Sequence, residues 1–223
     1  MHFIGITGGV GAGKSTVLNI LRNICKDKCE IIEADRLAEE LMSPGYECYD
    51  KVIALDWPES IIVTSEIDVQ DVDFKNETCK NETFIDRAQI DRKKMAQFMY
   101  ADKSLLQAVN DIVHPACKVE ILRRVDRARE EGKLDYFFLE AALLIECGYK
   151  EVCDELWYIY ADEDIRRERL KASRGYSDEK VDSIMAKQLP EDVFKANCER
   201  LIDNSTDEAM TRKQVLELLG SLE

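Results

Sequence analysis

Short apolar runs alternate with stretches of helical period along this chain. The first run, residues 3–7, leads straight into glycines and predicts a buried strand. From Lys14 the apolar positions Val17, Ile20, Leu21 and Ile24 recur at i, i+3, i+4 and i+7. That is the stripe of an amphipathic helix. Ile31 and Ile32 predict a second strand, ending in Glu33-Ala34-Asp35, and a helix is expected over 36–42, stopping near Pro44-Gly45. Residues 61–63 read as a short strand and the acidic stretch 68–82 as a solvated loop. Helical pattern returns at Asp91. Leu105, Val109, Ile112, Ala116 and Val119 then mark a long helix, with a kink expected at His114-Pro115. Residues 136–139, 156–160 and 201–202 are three further strands, and 206–219 a closing helix.

Strands alternating with helices predict an α/β fold with a five-stranded parallel sheet flanked by helices. Two polar, helical stretches interrupt the alternation, at 42–132 and 162–196. They read as insertions on a core made of 1–41, 133–161 and 197–223. A chain of 223 residues has room for one core carrying such insertions.

Composition narrows the partners. Apolar residues make up 45% and charged residues 34%, ordinary for a globular chain. The formal net charge of -14 repels phosphate backbones and anionic lipid, so neither nucleic acid nor a membrane surface is expected as a partner. No apolar run reaches the roughly 20 residues that span a bilayer, and no secretory signal is visible. The eight cysteines form no CxxC pair and read as reduced thiols, which points to a cytoplasmic protein. The sequons at Asn76 and Asn81 are then chance matches.

The chemistry begins at Gly8-Gly9-Val10-Gly11-Ala12-Gly13-Lys14-Ser15-Thr16, which satisfies G-x-x-x-x-G-K-[ST] between a predicted strand and a predicted helix. Glycines let the backbone wrap a triphosphate and turn its N–H groups inward. The helix start adds unpaired N–H groups and a positive dipole end. Residues 9–16 are therefore the candidate ATP cradle, with Lys14 offsetting β- and γ-phosphate charge and Ser15 offering its hydroxyl to Mg²⁺.

Phosphoryl transfer to a hydroxyl also needs carboxylates. Glu33 and Asp35 end the second strand on the side where parallel strands present ligands, and i, i+2 spacing on a strand would aim both the same way. The lesser alternative for Asp35 is a helix-start acid. Glu140 ends the third strand and could support Mg²⁺ or simply satisfy a nearby base. Arg166, Arg169 and Ser173 share one helical face, and Arg167 and Arg174 another. Such arginines could offset transferring charge or form a solvated face paired with Glu163 and Glu168. Arg92, beside Lys93 and Lys94, is a candidate for acceptor phosphate or plain surface.

Taken in order, these residues resemble the dephospho-coenzyme A kinase family. Residues 4–16 resemble its I-G-L-T-G-G-I-G-S-G-K-S, Glu33-Ala34-Asp35 its D-A-D, and Ile90-Asp91-Arg92-Lys93-Lys94-Met95 its I-D-R-x-x-L. Tyr100-Ala101-Asp102 with Ile112-Val113-His114-Pro115 resembles F-x-D followed by I-x-H-P, and Leu143-Leu144-Ile145-Glu146 the end of P-L-L-F-E. Ser177 through Gln188 resembles S-x-E-x(8)-Q, and Ile202-Asp203-Asn204 the late I-x-N.

The resemblance implies a P-loop, nucleoside-monophosphate-kinase-like core, with 42–132 as a helical acceptor-binding insertion and 162–196 as a lid. It implies transfer of the ATP γ-phosphate to the ribose 3'-hydroxyl of dephospho-coenzyme A. Asp35 would be the base, Glu33 the metal-side acid with Ser15, and Lys14, Arg169 and Arg174 the catalytic cations. Arg92 and His114 would touch the acceptor. Three departures stand out. Glu33 replaces the family's first Asp, Ala142 replaces the Pro before L-L, and Ser173 stands at the lid arginine's position with Arg174 next to it. Another P-loop kinase, of a nucleoside, nucleoside monophosphate or small polyol, is the alternative. A GTPase would carry an N-K-x-D base-reading motif, which neither Asn197 nor Asn204 supplies.

Overall fold

The first apolar run forms β1 (His2–Thr7), whose Phe3, Ile4 and Ile6 are fully buried. In this computed structural model, which describes residues 1–63 and 89–222, β1 is the middle strand of a five-stranded sheet. The other strands are β2 (Cys29–Glu33), β5 (Tyr136–Glu140), β6 (Glu155–Tyr160) and β7 (Arg200–Asp203). The order is β2-β5-β1-β6-β7, and every pairing is parallel. The expected strands are those observed, each extended by one or a few residues. Burial on both faces of the central strands β1, β5 and β6 explains why these read as continuous apolar runs instead of alternating ones.

The helix expected from Lys14 is α1 (Lys14–Cys25). Its Val17, Leu18, Ile20 and Leu21 pack with Ile4 and Ile6 of β1, Trp157 and Ile159 of β6, and Val215 and Leu219 of α9 (Glu208–Gly220). Burying each such side chain stabilises the fold by about 1.5–3 kcal/mol, so this face fixes where α1 starts. Asp207 caps α9 by accepting from Met210 N–H at 2.8 Å.

The described chain divides into two compact units, Met1–Arg36 with Glu120–Glu223, and Leu37–Val119. The stretch 162–196 belongs to the first unit. It is helical, with α6 (Glu163–Arg174), α7 (Asp178–Met185) and α8 (Glu191–Asn197). Ion pairs from Arg167 to Asp182 (2.6 Å) and from Lys171 to Asp178 join α6 to α7.

The second unit holds most of α2 (Ala34–Leu41), then α3 (Glu47–Ile53), and a two-residue antiparallel pair, β3 (Ile62–Val63) with β4 (Gln89–Ile90). It continues in α4 (Arg92–Ala101), capped by Asp91, and the start of α5 (Lys103–Glu131). The loop expected at 68–82, with Cys79 and the sequons at Asn76 and Asn81, lies outside the described residues.

Two local expectations change. Helix α2 begins at Ala34, earlier than expected, so Asp35 is a helix-start acid in its first turn and not a strand residue beside Glu33. Helix α5 runs through Pro115, and its buried stripe is Leu105, Val109, Val113, Cys117, Ile121, Val125 and Ala128. Ile112 is only half-buried and Val119 is 69% exposed, so the apolar line drifts from the one read in the sequence.

Candidate active site

In a parallel sheet, ligands bind beyond the carboxyl ends of the strands, where neighbouring connections diverge. Here that point is the end of β1, which has β5 on one side and β6 on the other. The glycine-rich loop leaves β1 at this point and delivers Gly13 to α1 in a left-handed conformation, φ +87°. A β-carbon at Gly13 would also overlap the side-chain amide of Asn204. No side chain caps α1, and a lysine, not an acid, opens its first turn. A cation at the positive end of a helix is unfavourable on its own and is relieved by a bound anion. Thr16 and Val17 N–H both turn back to the Gly13 carbonyl, at 3.0 and 3.3 Å.

This loop lines a cavity of about 560 Å³, within the usual range for a small-molecule site. Gly9, Val10, Gly11, Gly13, Lys14, Ser15 and Thr16 form one wall, and Glu33, Asp35 and Glu140 contribute carboxylates. Arg169, Ser173 and Arg174 from α6 add cations and a hydroxyl, and Asn204, Thr206 and Glu208 come from the β7–α9 turn. Ala12 is buried beneath the loop, its carbonyl accepting from Asn204 Nδ2 at 2.8 Å. Arg92 and His114 belong to the second unit, where Arg92 pairs with Glu39 at 2.6 Å.

The register explains the carboxylate cluster. Glu33 and Glu140 are paired residues of β2 and β5, and Glu140 also pairs with Ile6, one residue short of the end of β1. Lys14 Nζ donates to the Gly8 carbonyl at 3.0 Å and lies 3.6 Å from Glu140 Oε1. Burial pushes the Glu140 carboxyl above its ordinary range. Lys14 pulls it back, while the charges of Asp35 and Glu33 add to the rise. Glu33 is held differently, by Arg22 at 2.7 Å and Arg36 at 3.6 Å. Asp35 is exposed, and its carboxylate makes no hydrogen bond or ion pair with any described residue.

The arginines of α6 divide. Arg167 is engaged by Glu163 and Asp182, the solvated-face alternative. Arg169 donates to the Asn204 carbonyl at 2.8 Å and reaches the Gly11 and Ala12 carbonyls at 3.5 Å. Arg174 lies on the cavity wall and over the Tyr176 ring. Two site residues were not singled out from the sequence as contacts of the loop. Arg166 and Gln188 both bond to Val10, and the i, i+3 spacing of Arg166 and Arg169 was the available signal for the first.

Comparisons with known proteins agree with this geometry. The dephospho-CoA kinase family profile matches residues 2–68 and 69–209. A dephospho-CoA kinase of Carboxydothermus hydrogenoformans is 30% identical over 219 residues, covering 98% of this chain and 93% of its own. One of Geobacter sulfurreducens is 30% identical over 214 residues, covering 96% and 95%. Among solved structures, the Campylobacter jejuni dephospho-CoA kinase superposes with a TM-score of 0.66 at 18% identity, covering 99% of this chain and 96% of its own. TT1252 of Thermus thermophilus gives 0.73 at 23%, covering 100% and 98%. Those two likenesses carry the fold, while the profile and the full-length relatives carry the activity. The chain belongs to the dephospho-CoA kinase family and phosphorylates dephospho-CoA with ATP, the final step of coenzyme A biosynthesis.

Proposed function

We propose that Asp35 is the general base of this reaction and that the loop 9–16 holds the ATP phosphates. The observation that carries the proposal is the Asp35 carboxylate, open on the wall of the cavity that also contains Lys14 and Ser15. A proton acceptor must be free to meet the acceptor hydroxyl, and Glu140 and Glu33 are already engaged by cations. In the proposed step the acceptor's 3'-oxygen bonds to the γ-phosphorus as the β–γ bridging oxygen departs with ADP. The hydroxyl proton passes to Asp35. Lys14, Arg169 and Arg174 offset the charge on the phosphoryl oxygens.

The hydroxyl of Ser15 and the carboxylates of Glu33, Asp35 and Glu140 are all hard oxygen donors, a set that suits Mg²⁺. Ser15 and Glu33 are the proposed ligands, Glu33 directly or through water. When bound, the ion would neutralise phosphate charge. The stretch 42–132 is the proposed acceptor-binding part and 162–196 the proposed lid, excluding water so that ATP is not hydrolysed. Arg92 and His114 are proposed acceptor contacts, Arg92 by exchanging Glu39 for an acceptor phosphate. The proposed compartment is the cytoplasm, in keeping with a reaction that draws on the ATP pool.

The test is to incubate the protein with Mg²⁺·ATP and dephospho-CoA and to follow ADP and product mass. A nucleoside, a nucleoside monophosphate and no acceptor run beside it. ADP formed only with dephospho-CoA, with one phosphate added at the ribose 3' position, is the expected result. ADP formed without an acceptor would count against the proposed roles of the base and the lid.

A further inference from the structure

The backbone of Val10 is held at both its N–H and its carbonyl by the helical segment that follows β6. Gln188, in the turn after α7, accepts from Val10 N–H at 3.1 Å. Arg166, on α6, donates from Nε to the Val10 carbonyl at 3.0 Å. The two side chains are joined, because Arg166 Nη2 donates to the same Gln188 Oε1 at 2.8 Å. One oxygen and one guanidinium thus close a ring around the backbone of a single residue, engaging the two peptide groups that flank its Cα, across 156 and 178 residues of sequence.

A second observation concerns the neighbouring glycines. A β-carbon at Gly9 would stand 2.6 Å from Arg166 Nη2 and 2.7 Å from its Cζ. A β-carbon at Gly11 would stand 2.8 Å from the Arg166 carbonyl, and Gly11 has φ +78°. The loop is therefore packed against Arg166 on both sides of Val10. Arg166 does not line the cavity, whereas Arg169 and Arg174 do. Its charge is directed at the loop's backbone.

We propose that Gln188 and Arg166 are positioning residues of the phosphate loop, setting the backbone of Val10 so that the N–H groups beyond it face the ATP phosphates. They act through the loop and touch neither substrate. This rests on the reading that the loop binds ATP. A hydrogen bond to a charged group contributes more than a neutral one, and the carbonyl of Val10 and the oxygen of Gln188 both receive one from Arg166. Losing the brace lets the loop sample turns that no longer match a triphosphate. That cost falls on nucleotide binding and on the transfer step, since misplacement of a substrate is felt in both.

The experiment compares Gln188→Met, which keeps length but removes the acceptor, with Gln188→Glu, which can accept the same two bonds. Arg166→Lys keeps the charge but loses the fork. Each is measured by steady-state kinetics in both substrates and by titration with ADP. Gln188→Met should raise the KM for ATP and weaken ADP on the order of 10-fold, with a fall in kcat and the KM for dephospho-CoA staying where it is. Gln188→Glu should recover most of the loss. Arg166→Lys should behave like Gln188→Met, and the double variant should be no worse than the weaker single, because the two side chains are bonded to each other and act on one residue's backbone. The proposal is overturned if Gln188→Met and Gln188→Glu lose equally, if both KM values move together, or if the two substitutions add. Lys14→Met separates the underlying reading. If it leaves ADP binding intact, the loop is not the nucleotide site. If it abolishes binding while the Gln188 and Arg166 variants change nothing, only the brace is wrong. Circular dichroism and melting curves identify any variant that fails to fold, in which case the single variants that do fold decide by the same split between the two KM values.

Discussion

Lys14 Nζ lies 3.6 Å from Glu140 Oε1, so the loop's lysine is tethered to the end of β5. The tether works against burial, which raises the Glu140 pKa above its ordinary 4.5, with Asp35 and Glu33 adding to the rise. A carboxyl whose folded pKa stands above its unfolded one stabilises the fold only while protonated. That contribution is complete below the unfolded value and is lost as pH rises through the folded value. Glu140→Gln removes the titration. Its stability should therefore fall less than that of the wild type as pH rises from 4.5 toward neutrality. Urea midpoints at several pH values measure this, and parallel curves for the two proteins would refute it.

Asp35→Asn keeps size and polarity but cannot take a proton. As the proposed base, Asp35 should account for roughly 10²- to 10⁴-fold in kcat, the range for positioned acid–base groups. Its exposure and lack of a described partner mean that melting temperature and ADP affinity should hold. A stable variant with kcat reduced less than about 10-fold would transfer the role to another carboxylate or to solvent.

These expectations differ in how far the sequence supports them. The strand–loop–helix unit around Lys14 was legible because its signals are local, with an apolar run, glycines at forced backbone angles and a four-point stripe on α1. The pairing of Asp35 with the cavity was legible for a reason that does not hold in the structure. Strand spacing was expected to aim it beside Glu33, but Asp35 stands in the first turn of α2, and the turn itself carries it there. In α5 the apolar residues lie on adjoining lines of a long helix, and only packing selects Val113 and Cys117 over Ile112 and Ala116. The Arg166–Gln188 ring was invisible to local reasoning, since its members converge on Val10 from far away in sequence.

Glu33 has one methylene more than the Asp found in its family, and Arg22 holds that carboxylate at 2.7 Å. If Glu33 serves the metal side, Arg22 competes with the ion. Arg22→Met should then lower the Mg²⁺ concentration needed for half-maximal activity. Its effect on stability should be small, about 0–1 kcal/mol, because the Arg22 side chain is 43% exposed. A Mg²⁺ titration of initial rate decides the matter. An unchanged or higher requirement would remove Glu33 from the metal's surroundings.

Asn204 is 2% exposed and joins three elements. Its Nδ2 donates to the Ala12 carbonyl at 2.8 Å, its Oδ1 accepts from Thr211 at 2.9 Å, and its own carbonyl accepts from Arg169 at 2.8 Å. Truncation to Ala keeps the backbone bond but leaves the Ala12 carbonyl and the Thr211 hydroxyl short of a partner. Thr211 retains the Asp207 carbonyl at 3.3 Å, whereas the Ala12 carbonyl keeps only the 3.5 Å contact with Arg169 Nη1, so the deficit centres on Ala12 in the glycine-rich loop. Asn204→Ala should cost about 1–3 kcal/mol of stability, the range for a buried group left unsatisfied. It should also raise the KM for ATP more than that for dephospho-CoA. Gly13→Ala attacks the same contact from the other side, adding about 1–2 kcal/mol of left-handed strain to the overlap with the Asn204 amide. In the double variant the overlap is gone and only the strain remains. The two costs should therefore sum to less than the singles predict, a coupling that chemical denaturation of all four proteins measures. Strict additivity would mean that the loop and the β7–α9 turn do not meet through this amide in solution.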